Sequence, residues 1–337
     1  MNAIAAAIDQ ASHTPAASPR VPTFIRAVEV WVPDAEGLLL VLGSAWYGTA
    51  RGLGLHSSKL CFGRGEGLPG QAWDAGQPLL IKEFAGSGFR RTAAAHADGL
   101  TSAVALPFFD ADRLQAVVLI FCGDSPDTQT RQAGAIEIWR NQPELSKDMV
   151  LDDSYYGAIS NVFEFISRRT AFRKGSGLPG QVWESGLPLF MEDLGKGGRF
   201  LRADSAQKVG INRGFALPCT TTTGDHCVMA FLSALGTPLV RRFEIWLPDA
   251  RAACLLRSSG FCERDGALPS GTLEDRVSKD QGALGRALAQ GVPGVSLQAE
   301  REPGGVGVWA SQAELNAVVA LPVLQAGQVV AVVAWYF

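Results

Sequence analysis

Three stretches of this chain repeat one another in the same order. AVEVWVPD (27–34) returns as AIEIWRNQ (135–142) and as RFEIWLPD (242–249), so Trp31, Trp139 and Trp246 stand 108 and 107 residues apart. GLPGQAWDAGQP (67–78) returns as GLPGQVWESGLP (177–188) and, degraded, as GALGRALAQGVP (282–293). AVALPFFDADRLQAVVLIF (103–121) matches GFALPCTTTTGDHCVMAFL (214–232) and AVVALPVLQAGQVVAVVAW (317–335). Three anchors at nearly constant spacing predict a tandem array of three homologous domains. We place a flexible segment at 1–22 and the units at 23–125, 132–236 and 239–337, the last being divergent.

Periodicity gives the elements of one unit. AVEVWVPD alternates as a half-buried strand, and LLLVLGS follows as a second. GLPGQAWDAG reads as a turn into a short helix with Pro69 in its first turn. QPLLIKEF is a strand, FRRTAAAHADG a helix closed by Gly99, and AVALPFF with LQAVVLIF a hairpin. The order strand, strand, helix, strand, helix, strand, strand predicts an α+β fold, an antiparallel sheet with helices mainly on one face.

The same turn spells Gly65-x-Gly67-x-x-Gly70, repeated at Gly175, Gly177 and Gly180. A dinucleotide site needs a long crossover helix after these glycines and an acidic residue about 20 positions on. Here Gly76 and Pro78 end the helix early, so the glycines read as turn and cap residues.

The G-x-G-x-P-G-x-x-W-x-x-G-x-P turn and the terminal A-L-P hairpin resemble the GAF domain family. The likeness spans about 100 residues of each copy, well kept in the first two. The third lacks the counterparts of Pro69 and Trp73. VEVWVPD and the Trp-Tyr-Gly after the second strand also look like the GAF-like region of plant Nin-like proteins. The resemblance implies a small-molecule sensor with its ligand between sheet and helices. One branch of the family reduces free methionine sulfoxide. Neither an N-K-x-F-D-E cyclic-nucleotide signature nor a chromophore-attaching Cys-His pair is present in the sequence.

Candidate ligand residues follow from position. Trp73 and Trp183 recur on the short helix, as core packing or as pocket walls. The loops AGSGFRR and GKGGRFLR put glycines and arginines before the second helix, which suits an anion. Phe89, Arg90 and Arg91 belong to the first, and Arg199, Phe200 and Arg202 to the second; surface solvation is the bland alternative. Tyr47 and Tyr155 follow the second strand, at a pocket mouth or a packed rim. The third copy carries AEREPGGVGVW in place of these loops, so no anion site is expected there and that unit is read as structural.

Net charge of −3 and a pI near 5.9 offer no footprint for nucleic acid or an anionic membrane. No apolar run reaches a bilayer span, and the cytoplasm is the expected compartment. Six scattered cysteines and four histidines suggest neither a disulfide framework nor a metal site, and no cofactor is expected. We therefore expect a non-catalytic sensor of a small, anionic metabolite that signals through a protein partner, with a homo-oligomer left open. The alternatives are a ligand-free interaction scaffold, and a cysteine-dependent reductase acting on free methionine sulfoxide, with Cys227 beside His226 as its local candidate.

Overall fold

The computed structural model describes residues 23–123, 134–157, 159, 161–269 and 275–337. The expected flexible segment 1–22 and most of the first connector lie outside the described residues.

The first unit runs β1 (Ile25–Pro33), β2 (Leu39–Trp46), α1 (Arg51–Ser57), β3 (Cys61–Gly63), α2 (Gly67–Ala75), β4 (Leu79–Ile81), α3 (Thr92–Ala97), β5 (Ser102–Asp110) and β6 (Arg113–Cys122). The second repeats it: β7 (Gly134–Asn141), β8 (Met149–Tyr155), α4 (Asn161–Ser167), β9 (Ala171–Phe172), α5 (Gly177–Ser185), β10 (Leu189–Met191), α6 (Ala203–Lys208), β11 (Ile211–Cys219) and β12 (His226–Ala234). The third has β13 (Arg242–Pro248), β14 (Cys254–Cys262), β15 (Gly266–Ala267), β16 (Arg276–Ser278), α7 (Gly282–Gln290), β17 (Gly294–Ser296), α8 (Gly305–Gln312), β18 (Val318–Gln325) and β19 (Gln328–Tyr336).

Each unit is one antiparallel sheet. The strand orders are β3-β2-β1-β6-β5-β4, β10-β11-β12-β7-β8-β9 and β15-β14-β13-β19-β18-β17, with β16 also pairing β14. The α+β expectation holds, but the element order was incomplete. A helix and a short strand, α1 with β3 and α4 with β9, precede the glycine turn in the first two units. Arg51–Ser57 contains two glycines, which disfavour helix. It folds because Leu53 and Ser57, one turn apart, are buried together, and because Asp98 Oδ2 accepts the Leu53 amide at 2.7 Å.

The first strand is not half-buried. Ala27, Glu29 and Trp31 face the helices, while Val28 and Val30 face a second core, and all five are buried. Each unit has its own helix-side core, built around Trp31, Trp139 or Trp246. The opposite faces of all three sheets share one central core, which joins Val118 and Ile120 to Met229, Phe231, Val333 and Trp335. That double burial explains the unbroken apolar run of β6, since a sheet with one wet face would alternate.

The interfaces repeat as the units do. In α2 and α5, Gly76 and Gly186 close the helix in the left-handed region. The carbonyl of Gly76 accepts Thr222 N from the second unit's hairpin at 2.9 Å, and that of Gly186 accepts Gln325 Nε2 from the third unit's at 3.0 Å. The second connector is itself buried through Leu239 and Val240, and its Pro238 carbonyl accepts Phe24 N at 2.8 Å.

Candidate functional site

The centre of each unit, between sheet and helices, holds a fully buried carboxylate two residues before the repeated tryptophan: Glu29, Glu137 and Glu244. The indole nitrogen of that tryptophan donates to it in every unit, at 2.9 Å from Trp31 and 3.0 Å from Trp139 and Trp246. A buried charge needs an opposite charge and satisfied lone pairs. The chain supplies both three times.

In the first unit Arg91 Nη1 lies 2.5 Å from Glu29 Oε1, and Tyr47 donates to the same oxygen at 3.0 Å. Ser57 of α1 joins them, 2.5 Å from the carboxylate. In the second, Arg202 Nη1 and Nη2 reach the two oxygens of Glu137 at 2.5 and 2.8 Å, Tyr156 donates at 2.7 Å, and Ser167 Oγ contacts the guanidinium. Aromatic faces surround both guanidinium groups: Phe89 at 4.9 Å from Arg91, and Phe200 at 5.0 Å and Trp139 at 5.1 Å from Arg202.

Burial pushes the Glu137 carboxyl up, but the charge and hydrogen bonds of Arg202 outweigh it and hold the group below the usual carboxylate range. Burial, then the adjacent carboxylate, raises the phenols of Tyr47, Tyr156 and Tyr336, so each remains a donor.

These contacts show where the expected ligand residues stand. Arg91 and Arg202 are not solvated; they stand at the N-cap positions of α3 and α6 without a side-chain capping bond, their guanidinium groups drawn inward by Glu29 and Glu137. Their neighbours Arg90 and Arg199 lie outside, Arg90 half-exposed 3.6 Å from Glu66 and Arg199 exposed. Phe89 and Phe200 are buried beside the paired arginines. Trp73 and Trp183 are partly buried against their helix-side cores, and Trp183 lies 5.4 Å from Lys174 Nζ and 5.6 Å from the His226 ring. Tyr47 reaches the carboxylate, but its counterpart is Tyr156. Tyr155 instead donates to Thr101 Oγ1 of the first unit at 2.7 Å. Gly48 and Gly157, each directly after the participating tyrosine, carried that register in the sequence.

The third unit solves the same problem differently. Arg242 of β13 pairs with Glu244 through Nε at 3.0 Å and through Nη2, and Tyr336 of β19 donates at 2.5 Å. Arg257 of β14 is held by Asp275, with Nε at 2.7 Å, and its Nη2 donates to the Pro269 carbonyl at 2.9 Å. Among the described residues no helix stands where α1 and α4 stand in the other units. A cavity of about 230 Å³ opens beside α8, lined by Arg242, Arg257, Arg264, Leu268, Trp309 and Gln312 among others. Among the described residues, the buried Arg257 Nη1 and Trp309 Nε1 have no hydrogen-bond partner. Arg264 at the rim pairs with Asp265 at 2.9 Å and caps the Gln312 carbonyl at 2.8 Å. The cavity therefore brings three arginine side chains together beside the Trp309 ring. That suits an oxygen acceptor on a compact ligand.

Sequence reasoning missed the three glutamates and these strand-borne arginines. The glutamates had a signal, Glu-x-Trp in every copy; Arg242 and Arg257 had none, because nothing in the other copies corresponds. Among the described residues no group of three or more His, Cys, Asp or Glu side chains could hold a metal ion, and no helix is long and apolar enough to cross a membrane.

No protein-family model matches this chain, and no curated protein matches it. Solved GAF domains do, each over a stretch comparable to one unit. The GAF domain of A. aeolicus nlh2, in an inactive state, is 22% identical over 30% of this chain and 59% of its own, with a TM-score of 0.24. NreA of Staphylococcus aureus, mutated in its nitrate-binding site, is 17% identical over 32% of this chain and 79% of its own, with a TM-score of 0.26. Free methionine-R-sulfoxide reductase of Neisseria meningitidis, in complex with its substrate, is 18% identical over 31% of this chain and 56% of its own, with a TM-score of 0.24. This chain thus spans under two thirds of the length of the first and third. Three sheets of six to seven strands fit tandem GAF-like repeats.

Proposed function

We propose that this protein is a non-catalytic, cytoplasmic sensor of a small anionic metabolite, and that the third unit holds the ligand. The observation that carries this reading is the cavity beside α8, where Arg242, Arg257 and Arg264 meet the Trp309 indole. Charge-assisted hydrogen bonds from guanidinium groups are the kind that would hold an anionic group there. All three units fill that polar centre with their own Glu–Arg pair, and the third adds a cavity bordered by Arg242 of its pair, so the ligand role falls to the divergent copy. Output to a protein partner is part of the proposal.

The test is thermal denaturation with a panel of nitrate, short carboxylates and amino acids. A ligand at a hundred times its Kd stabilises by about 2.7 kcal/mol, well within detection. No rise in midpoint across the panel would sink the sensor reading.

A second reading, an interaction scaffold without ligand, is favoured by the filled centres of the first two units and by the core that all three sheets share. It predicts a flat thermal-shift screen.

A further inference from the structure

Where the three A-L-P hairpins converge, Pro107, Pro218 and Pro322 line one cleft together with Cys219. The residues just beyond the prolines face a partner across each hairpin. In the first unit Phe108 opposes Ala116, and in the third Val323 opposes Ala331. In the second, Cys219 opposes Cys227. Arg140 of β7 opposes Cys227 from its other side, at the position that follows the repeated tryptophan and holds Val32 and Leu247 in the other units. Residues directly opposed on adjacent strands project from the same face. Two thiols and a guanidinium therefore form a row across three strands where the repeats place apolar side chains.

Directly opposed residues in an antiparallel pair have Cα atoms about 4.5 to 5.5 Å apart, within the span of a disulfide. The Cys219 thiol donates to the Leu217 carbonyl at 3.9 Å, and Arg140 stands beside Cys227 on the neighbouring strand. Cys227 is buried, while Cys219 is half-buried and lines the cleft. Packing alone does not ask for this pair, because Phe–Ala and Val–Ala fill the same place.

We propose that Cys219 and Cys227 are a redox-active dithiol that closes to an intra-hairpin disulfide when the protein meets a peroxide. The Cys219 sulfur takes one peroxide oxygen as the O–O bond breaks, giving a sulfenic acid and releasing water. The Cys227 sulfur then attacks that sulfur, the S–S bond forms, and the second oxygen leaves as water. Two thiols lose two electrons and two protons, and the peroxide is reduced to two waters. The neighbouring Cys227 thiol and burial push the Cys219 thiol up, with Arg140 acting in the opposite sense, so the pair is expected to respond slowly.

The experiment treats the full reduced chain with hydrogen peroxide and reads intact mass and a peptide map. The expected result is loss of two hydrogens with a Cys219–Cys227 cross-linked peptide. Cys227→Ser should lose the cross-link and leave a Cys219 sulfenic acid that a dimedone probe traps; Cys61→Ser should retain the cross-link. The double variant Cys219→Val with Cys227→Ala, which copies the third unit's pair, controls for folding and should keep the wild-type thermal midpoint without cross-linking. Oxidation confined to the exposed Cys61, or disulfides found only between molecules, would overturn the proposal.

Discussion

Removing the negative charge at the centre of the second unit should cost more than any single surface change. Glu137 accepts from Trp139 at 3.0 Å, from Tyr156 at 2.7 Å and from Arg202 at 2.5 and 2.8 Å. Glu137→Gln keeps the shape but leaves one acceptor oxygen and turns an amide NH2 toward donors. Arg202 has no second carboxylate among the described residues, and its other contacts are aromatic faces and the Ser167 hydroxyl. Breaking a buried pair on one side costs about 3–5 kcal/mol, and each stranded donor adds about 1–3 kcal/mol. Against a total stability of about 5–15 kcal/mol, the variant should lose a third or more of it. Equilibrium urea denaturation, followed by circular dichroism and by tryptophan fluorescence, measures the loss. Adding Arg202→Met removes the stranded charge and should restore about 2 kcal/mol or more, a coupling read from the double-mutant cycle. A single variant costing under about 1 kcal/mol, or a double variant as unstable as the sum of its parts, would refute the reading of this pair as a mutually dependent unit.

Trp309→Phe keeps one aromatic ring at the third unit's cavity but deletes the indole N–H together with its five-membered ring. It should weaken any anion found by thermal shift by about 1–2 kcal/mol, roughly five- to thirtyfold in Kd by titration, with little change in the unliganded midpoint. Gly180→Ala would drive its Cβ into the Arg173 carbonyl and should destabilise by about 1–3 kcal/mol in urea; Gly70→Ala should do the same against Gly63. Because the folded Glu137 carboxyl is held below its unfolded value, its contribution is fully present above the ordinary carboxylate range and is lost as pH falls through the depressed folded value. Acid titration of stability should therefore be shallower in Glu137→Gln than in wild type. The second unit expressed alone, residues 132–236, would expose Ile136, Ile138, Phe215, Met229 and Phe231, and should self-associate in sedimentation experiments rather than remain a monomer.

The repeat made the three sheets legible, since the spacing of the tryptophans, glycine turns and A-L-P hairpins survives even where single residues have changed. The carboxylates were legible too, but read the wrong way. In AVEVWVPD a half-buried strand would place Glu29 toward water, yet Glu29 shares its face with Ala27 and Trp31, and the other face is Val28 and Val30. Neither face is polar enough to be the wet one, which is the pattern of a strand buried twice. The arginine loops misled for a related reason: of two adjacent arginines only one, Arg91, can reach the interior, and which one depends on the tilt of α3 rather than on composition. Helix α1 was hidden by its glycines, because its stability comes from Asp98, more than 40 positions away. The third unit's cavity was hidden further still. Its arginines arise from β13 and β14, and among the described residues β15 stands where the other units have their first helix.

The shared core also decides how the three units can differ. Each sheet must keep an apolar inner face, or it loses the other two, so β1, β7 and β13 are constrained on the central side by all three domains. On the helix side each unit answers only to itself, and there the need is narrower: one buried carboxylate, one tryptophan N–H and one cation, from wherever the chain can supply it. The first two units draw that cation from the loop before α3 or α6, and the third draws it from the same strand as the carboxylate. Once the cation comes from the strand, the first helix is no longer needed to complete the cluster with its serine, as Ser57 and Ser167 do. Among the described residues that helix has no counterpart in the third unit, where the cavity beside α8 is lined by Arg242, Arg257 and Trp309. Divergence of the third copy thus accompanies the space in which we propose that the ligand sits.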